Sequence, residues 1–131
     1  MIVVDTNILA YLYLPCEFTS HAERLLLDER EWAAPLLWRS EFRNILTGYM
    51  RRGRLSLAQA MRLQNEAESL LVHAEYEVNS ADVLALADRS DCSAYDCEFV
   101  ALAMSLRIKA VTMDSKLLRA FPETTLSLVA C

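Results

Sequence analysis

Residues 1–14 read MIVVDTNILAYLYL, and the placement of one acid among them decides how the rest of the chain is understood. The apolar run 2–4 has the composition of a short buried strand, yet it runs straight into Asp5, Thr6 and Asn7 before a second apolar stretch begins. A buried strand that ends on an ionised side chain must pair it, solvate it or use it, because burying it bare costs too much. Two readings stand side by side. Asp5 or Asn7 caps the helix that follows, as such residues commonly do, or Asp5 belongs to a functional set assembled from elsewhere in the chain.

Working outward, Ile8, Leu9, Leu12 and Tyr13 recur at helical spacing until Pro15 closes the segment. A helix is expected over 19–30, capped by Thr19 or Ser20, and a short strand over 32–37. A long helix is expected over 38–52, read from Phe42, Ile45, Leu46 and Tyr49 and stopped by Gly53. Ser56 caps the next, which runs to about residue 72. "EYEV" (75–78) reads as a strand with alternating exposure, and a helix starts at 80–82. After the polar turn "RSDCS", Ser93 opens another helix, followed by the strand "KAVTM" (109–113), the short helix "SKLLRAF" (115–121) and a last strand "TTLSLV" (124–129). Strands separated by helical segments pair in parallel through right-handed crossovers. The expected fold is therefore α/β, a three-layer sandwich with a mainly parallel central sheet.

Bulk properties narrow the class. At 131 residues the chain is expected to be a single domain over 1–131, and 54% hydrophobic residues with only two glycines and three prolines indicate a helix-rich globular chain rather than a disordered or all-β one. No leader precedes the first strand and no apolar run approaches the ~20 residues of a membrane span, so a cytoplasmic protein is expected. Cys16, Cys92, Cys97 and Cys131 are scattered and the only histidines, His21 and His73, lie far from the 92–97 pair, which argues against a disulfide framework or a zinc site. A net charge of −5 argues against binding nucleic acid by general attraction. The one dense basic cluster is Arg51, Arg52 and Arg54, with Arg39 and Arg43 upstream.

The acids fall at particular places on this scheme. Asp5 follows the first strand, Asp114 follows "KAVTM", and Asp96 lies in the first turn of the helix leading into that strand. In open parallel sheets, ligands bind beyond the carboxyl ends of the strands. Glu41 reaches the same edge if its helix packs across it. Each acid has an ordinary alternative: Asp96 completes a capping-box pattern with Ser93, Asp114 suits an N-cap, and Glu41 suits a solvated helix face. Together, four carboxylates in one crevice repel one another and persist only around a cation. All-oxygen ligation favours Mg²⁺ or Mn²⁺.

Four stretches carry a family resemblance: "VVDTNIL" (3–9), "SEFRNIL" (40–46), "SAYDCEFVALA" (93–103) and "AVTMDSKLL" (110–118). In order and spacing, over the whole chain, they resemble the PIN-domain ribonucleases, especially the VapC toxins of bacterial toxin–antitoxin pairs. The resemblance implies a metal-dependent endoribonuclease whose acidic quartet matches Asp5, Glu41, Asp96 and Asp114, with Thr6, Asn7 or Ser115 as polar support. Mg²⁺ (or Mn²⁺) would polarise the scissile phosphate and reconcile an acidic protein with a polyanionic substrate. Arg51, Arg52 and Arg54 are then candidates for RNA backbone contacts. The expected partners are an RNA substrate, a small antitoxin with a basic segment that enters the acidic crevice, and a second copy of the chain in a homodimer. The dimer expectation also rests on a surplus of apolar side chains between Glu41 and Val72, namely Tyr49, Met50, Leu57, Met61, Leu70 and Leu71. A haloacid-dehalogenase-type phosphatase also begins with a strand ending in Asp, but it needs a second aspartate where this chain has Asn7. A non-catalytic module that binds RNA or a partner through the same crevice is the alternative of a different class.

Overall fold

A computed structural model describes all residues, 1–131. Five strands form the sheet: β1 (Ile2–Val4), β2 (Trp32–Pro35), β3 (Glu75–Tyr76), β4 (Ala110–Thr112) and β5 (Thr125–Ser127). Their order is β3-β2-β1-β4-β5, and every pairing is parallel. The connections are helical throughout: α1 (Thr6–Tyr13) and α2 (Thr19–Asp28), then α3 (Leu37–Arg51) and α4 (Leu57–Leu70), then α5 (Ser80–Asp88) and α6 (Ala94–Leu106), and finally α7 (Ser115–Ala120). None of these helices is long and apolar enough to cross a membrane.

The chain moves one way from β1 to β3 and reverses to reach β4 on the other side of β1. With right-handed crossovers, this puts α1–α4 on one face and α5–α7 on the other, the expected three-layer sandwich. Packing joins the three layers through the sheet. A cluster of 23 buried residues joins Val3, Val4, Ala33 and Val111 of the sheet to Ile8, Leu9, Trp38, Phe42 and the inner side of α6. A second, of 8 residues, ties Val83 and Leu86 of α5 to Val100 of α6 and Leu117 and Phe121 around α7. The reversal also creates a topological switch point between β1 and β4, where Val4 sits in register with Val111. Parallel α/β sheets bind ligands in the crevice that opens there.

Local signals explain most boundaries. Gly53 takes a positive φ of 72° just after α3, where a side chain would be strained. Ser56 and Gln59 form a full capping box on α4. The cap expected at Thr19 or Ser20 is absent: the residue before α2 is Phe18, and the Thr19 hydroxyl donates instead to the Tyr11 carbonyl at 2.7 Å. That bond ties α2 back to α1. The apolar surplus of α3 and α4 is also smaller than its sequence implies, because Leu71 is fully buried and Tyr49, Met50 and Leu70 pack on the core. Leu57 and Met61 alone among the six remain exposed.

Candidate active site

Asp5 occupies the N-cap position of α1 but makes no capping bond. Its Oδ2 instead accepts a 2.8 Å hydrogen bond from the Thr112 hydroxyl, a partner 107 residues away at the end of the neighbouring strand. The helix-cap reading of Asp5 therefore fails on geometry. Thr112 also accepts from the Asp114 N–H at 3.0 Å, so one hydroxyl orients Asp5 and fixes the turn that carries Asp114.

Asp114 does cap α7, as its sequence position suggests. One oxygen, Oδ1, takes both the Lys116 and Leu117 N–H groups at 2.8 and 3.3 Å, which leaves Oδ2 without a partner. Asp96 enters the first turn of α6 because the Ser93 hydroxyl accepts its N–H at 3.1 Å. The reciprocal bond of a capping box, from the Ser93 N–H to the Asp96 carboxylate, is missing, so that carboxylate is not consumed by the helix. Glu41 comes from α3, and its Oε1 accepts the Thr6 hydroxyl at 2.7 Å. The first turn of α3 is held in place upstream. Trp38 Nε1 donates to Glu75 of β3 at 2.7 Å, and Arg39 grips both Glu75 oxygens at 2.6 and 2.7 Å. Arg39 is thereby committed to structure, and it holds the Glu75 carboxyl below its ordinary range.

These elements close on one cleft of about 250 Å³. Asp5, Glu41, Asp96 and Asp114 all line it, with Thr6, Asn7, Asn44 and Ile45. Four carboxylates from four separate segments thus meet at the β1/β4 switch point. Ser115 is exposed on α7 and does not line the cleft. Arg51 closes the far end of α3, about 15 Å along the helix axis from Glu41 at 1.5 Å per residue, and Arg52 and Arg54 follow it. Arg52 stacks over Tyr49 there, 4.8 Å from the ring centroid.

The electrostatics are those of a crowded acid cluster. Burial raises the pKa of Asp5 above the usual carboxylate value, the charges of Asp96 and Asp114 add to the rise, and the Thr112 hydroxyl opposes it. Glu41 is raised first by burial and then by Asp5, Asp96 and Glu98, against the Thr6 bond. Asp96 is raised by burial and by Asp114, with the Ser93 hydroxyl and the Lys116 ammonium pulling the other way. Three acids therefore occupy positions that disfavour their ionised forms, and no basic side chain lines the cleft.

The donor set suits a hard divalent cation, since every polar group on the cleft wall presents oxygen or an amide. No three His, Cys, Asp or Glu side chains converge closely enough to ligate one ion directly. That is compatible with Mg²⁺, which keeps several waters and takes only one or two carboxylates in its inner shell. Sequence reasoning missed Thr112, whose hydroxyl reads as part of a β-branched strand, and Asn44, one helical turn beyond Glu41. It also missed Glu98, whose charge is felt at Glu41.

A parallel α/β sandwich with an acid-lined cleft at its switch point defines a class, and a family model assigns it. The PIN domain model matches residues 2–121, and the chain belongs to the PIN-domain family. Ribonuclease VapC3 from Pyrobaculum aerophilum is 34% identical to it over 125 residues, spanning 92% of this chain and 95% of the relative. Among solved structures, FitAcB from Neisseria gonorrhoeae superposes with a TM-score of 0.79 at 14% identity, covering 100% of both chains. A toxin–antitoxin complex from Klebsiella pneumoniae superposes with a TM-score of 0.71 at 17% identity over 98% of each chain. At those identities the structural likeness is one of fold.

Proposed function

We propose that this protein is the ribonuclease toxin of a toxin–antitoxin pair, cleaving RNA phosphodiesters with a divalent cation, Mg²⁺ or Mn²⁺, held among Asp5, Glu41, Asp96 and Asp114. The observation that carries this reading is the gathering of four carboxylates from four segments at the β1/β4 switch point, at a cost in stability that only a bound cation or substrate chemistry offsets. The kinship with Ribonuclease VapC3 supports the choice of RNA.

The chain's own groups divide the work. Thr112 holds Asp5 by Oδ2 and leaves Oδ1 without a side-chain partner. Thr6 holds Glu41 by Oε1 and leaves Oε2 available, while the α7 cap takes Asp114 Oδ1 and leaves Oδ2. These three carboxylates are each anchored through one oxygen and offer the other, which preorganises the cleft and limits the reorganisation needed when charge develops at phosphorus. Asn7 and Asn44 line the same wall and can donate to phosphate oxygens. A bound divalent cation supplies the positive charge that polarises the scissile phosphate and favours attack by water.

The partners follow from the same cleft. A small antitoxin with a basic segment would neutralise the acids and block the site, and the likeness in fold to a toxin–antitoxin complex from Klebsiella pneumoniae supports such a partner. A homodimer is supported by exposed Leu57 and Met61, which line a groove between α3 and α4. A cytoplasmic location accords with this role. The decisive test is cleavage of total bacterial RNA in Mg²⁺ and in EDTA. Chelation should abolish cleavage, and Asp96→Asn should lower it about 100-fold or more. Undiminished cleavage by both Asp5→Asn and Asp96→Asn proteins would overturn the assignment.

A further inference from the structure

Beside the acid cleft lies a second cavity of about 310 Å³, lined by Ser90, Asp91, Cys92, Lys116, Arg119 and Ala120. Two chain segments contribute to both cavities. The turn from Ser90 leads through Ser93 to Asp96, and the segment from Asp114 leads through Lys116 to Arg119. Lys116 follows Asp114 by two residues, so their Cα atoms are at most about 7 Å apart.

The cations of this cavity are uncommitted. Neither Lys116 nor Arg119 takes part in an ion pair, whereas Arg39 engages both Glu68 and Glu75. Both side chains are exposed. Against these two positive groups stands one acid on the cavity wall, Asp91. On a chain of net charge −5, such an excess directly flanking a carboxylate cluster has no structural use, because no buried partner needs it.

We propose that Lys116 and Arg119 form a phosphate subsite that grips the RNA backbone next to the scissile phosphate and sets its register over the acids. This inference rests on the ribonuclease reading and adds where the substrate lies: the strand runs from the acid cleft over α7, not along α3 towards Arg51. Single-stranded RNA offers a phosphate at each nucleotide, and two point charges spaced over one helical turn suit a flexible backbone better than base recognition. Lys116 and Arg119 are positioning residues. They touch the substrate's backbone and leave the reacting bond to the acids.

Steady-state cleavage of a short mixed-sequence single-stranded RNA should be compared for the parent, Lys116→Ala/Arg119→Ala and Lys116→Arg/Arg119→Lys proteins. Binding of the same RNA, end-labelled, should be followed by anisotropy in Mg²⁺ on an Asp96→Asn background across a salt series. The double alanine protein should show KM raised about tenfold with kcat little changed. The slope of log affinity against log salt should fall by about 1.4, which is two contacts at about 0.7 each for single strands. The charge-conserving pair should restore both, and thermal unfolding should match the parent because both side chains are exposed. Unchanged KM and slope in the alanine protein would overturn the subsite and leave the ribonuclease reading standing. A parent that neither cleaves nor binds RNA would overturn both.

Discussion

Asp5→Asn changes one charge at nearly constant volume, which makes it a sharp probe of the acid cluster. Asp5 is 9% exposed and caps nothing, so no helix-capping loss enters. Asn can still accept the Thr112 hydroxyl, but a charge-assisted bond becomes a neutral one, a loss of about 1 kcal/mol. On the other side, an ionised carboxylate leaves a poorly solvated site beside Asp96 and Asp114. The effective penalty for such an ion runs to several kcal/mol, and part of it returns as the cost of seating the new amide. The balance favours the variant by about 1–3 kcal/mol in EDTA at neutral pH. For a chain of this size that corresponds to a rise in Tm of roughly 3–6 °C per kcal/mol. Mg²⁺ should act in the opposite sense. At ten times its dissociation constant it adds about 1.4 kcal/mol to the parent and little to the variant. Thermal unfolding by circular dichroism, in EDTA and across a Mg²⁺ titration, reads both effects. A variant less stable than the parent in EDTA, or equal Mg²⁺ shifts in the two proteins, would refute the cluster.

Thr112→Val removes the donor to Asp5 and the acceptor for the Asp114 N–H, so about 1–3 kcal/mol of stability should go. Losing the bond that lowers the Asp5 pKa should also move the acid limb of the cleavage profile to higher pH; a profile unmoved by the substitution would remove Thr112 from the site. The cation-free protein should gain stability as pH falls from neutral to about 5. Asp5, Glu41 and Asp96 all have folded pKa values raised above their unfolded ones, so their contribution is fully present below the unfolded values and is lost as pH rises through the folded ones. Glu75 runs the other way, but its lowered pKa keeps it ionised throughout that range, and a Tm in EDTA that falls on acidification to pH ~5 would contradict the cluster. Light scattering at tens of micromolar, an order chosen for weak self-association, should give a dimer mass that Leu57→Glu/Met61→Glu converts to monomer. A monomeric parent would sink the homodimer.

The sheet was legible because short parallel strands read as apolar runs, and here the runs before Asp5 and Asp114 end abruptly in acids. The β3 signal was weaker. "EYEV" suggests four residues, but Glu75 and Tyr76 alone pair with β2, and Glu75 is spent on Arg39 and Trp38 rather than on solvent. Its alternation looked like an exposed strand face because an acid committed to an ion pair reads the same as a solvated one. The placement of Glu41 needed the packing of α3, which local pattern does not contain.

Asp5 marks the boundary of what local sequence can decide. A strand-to-helix junction wants an N-cap there, and Asp satisfies that preference on paper, so composition and spacing leave the two readings unresolved. The resolution lies 107 residues away, in a hydroxyl whose residue type advertises only β propensity. Ser93 and Asp96 show the same separation of roles, since the backbone of Asp96 serves the helix while its carboxylate does not. In both cases the local rule is obeyed by position and declined by the side chain. An acid that stands where a cap belongs, stays buried, and leaves the cap unmade adds strain that folding alone would not retain. Asp5 shares one cleft with Glu41 and Asp96, whose pKa values are raised as well, and this puts the selective reason in the cleft itself, which is why chemistry rather than stability is the reading these positions support.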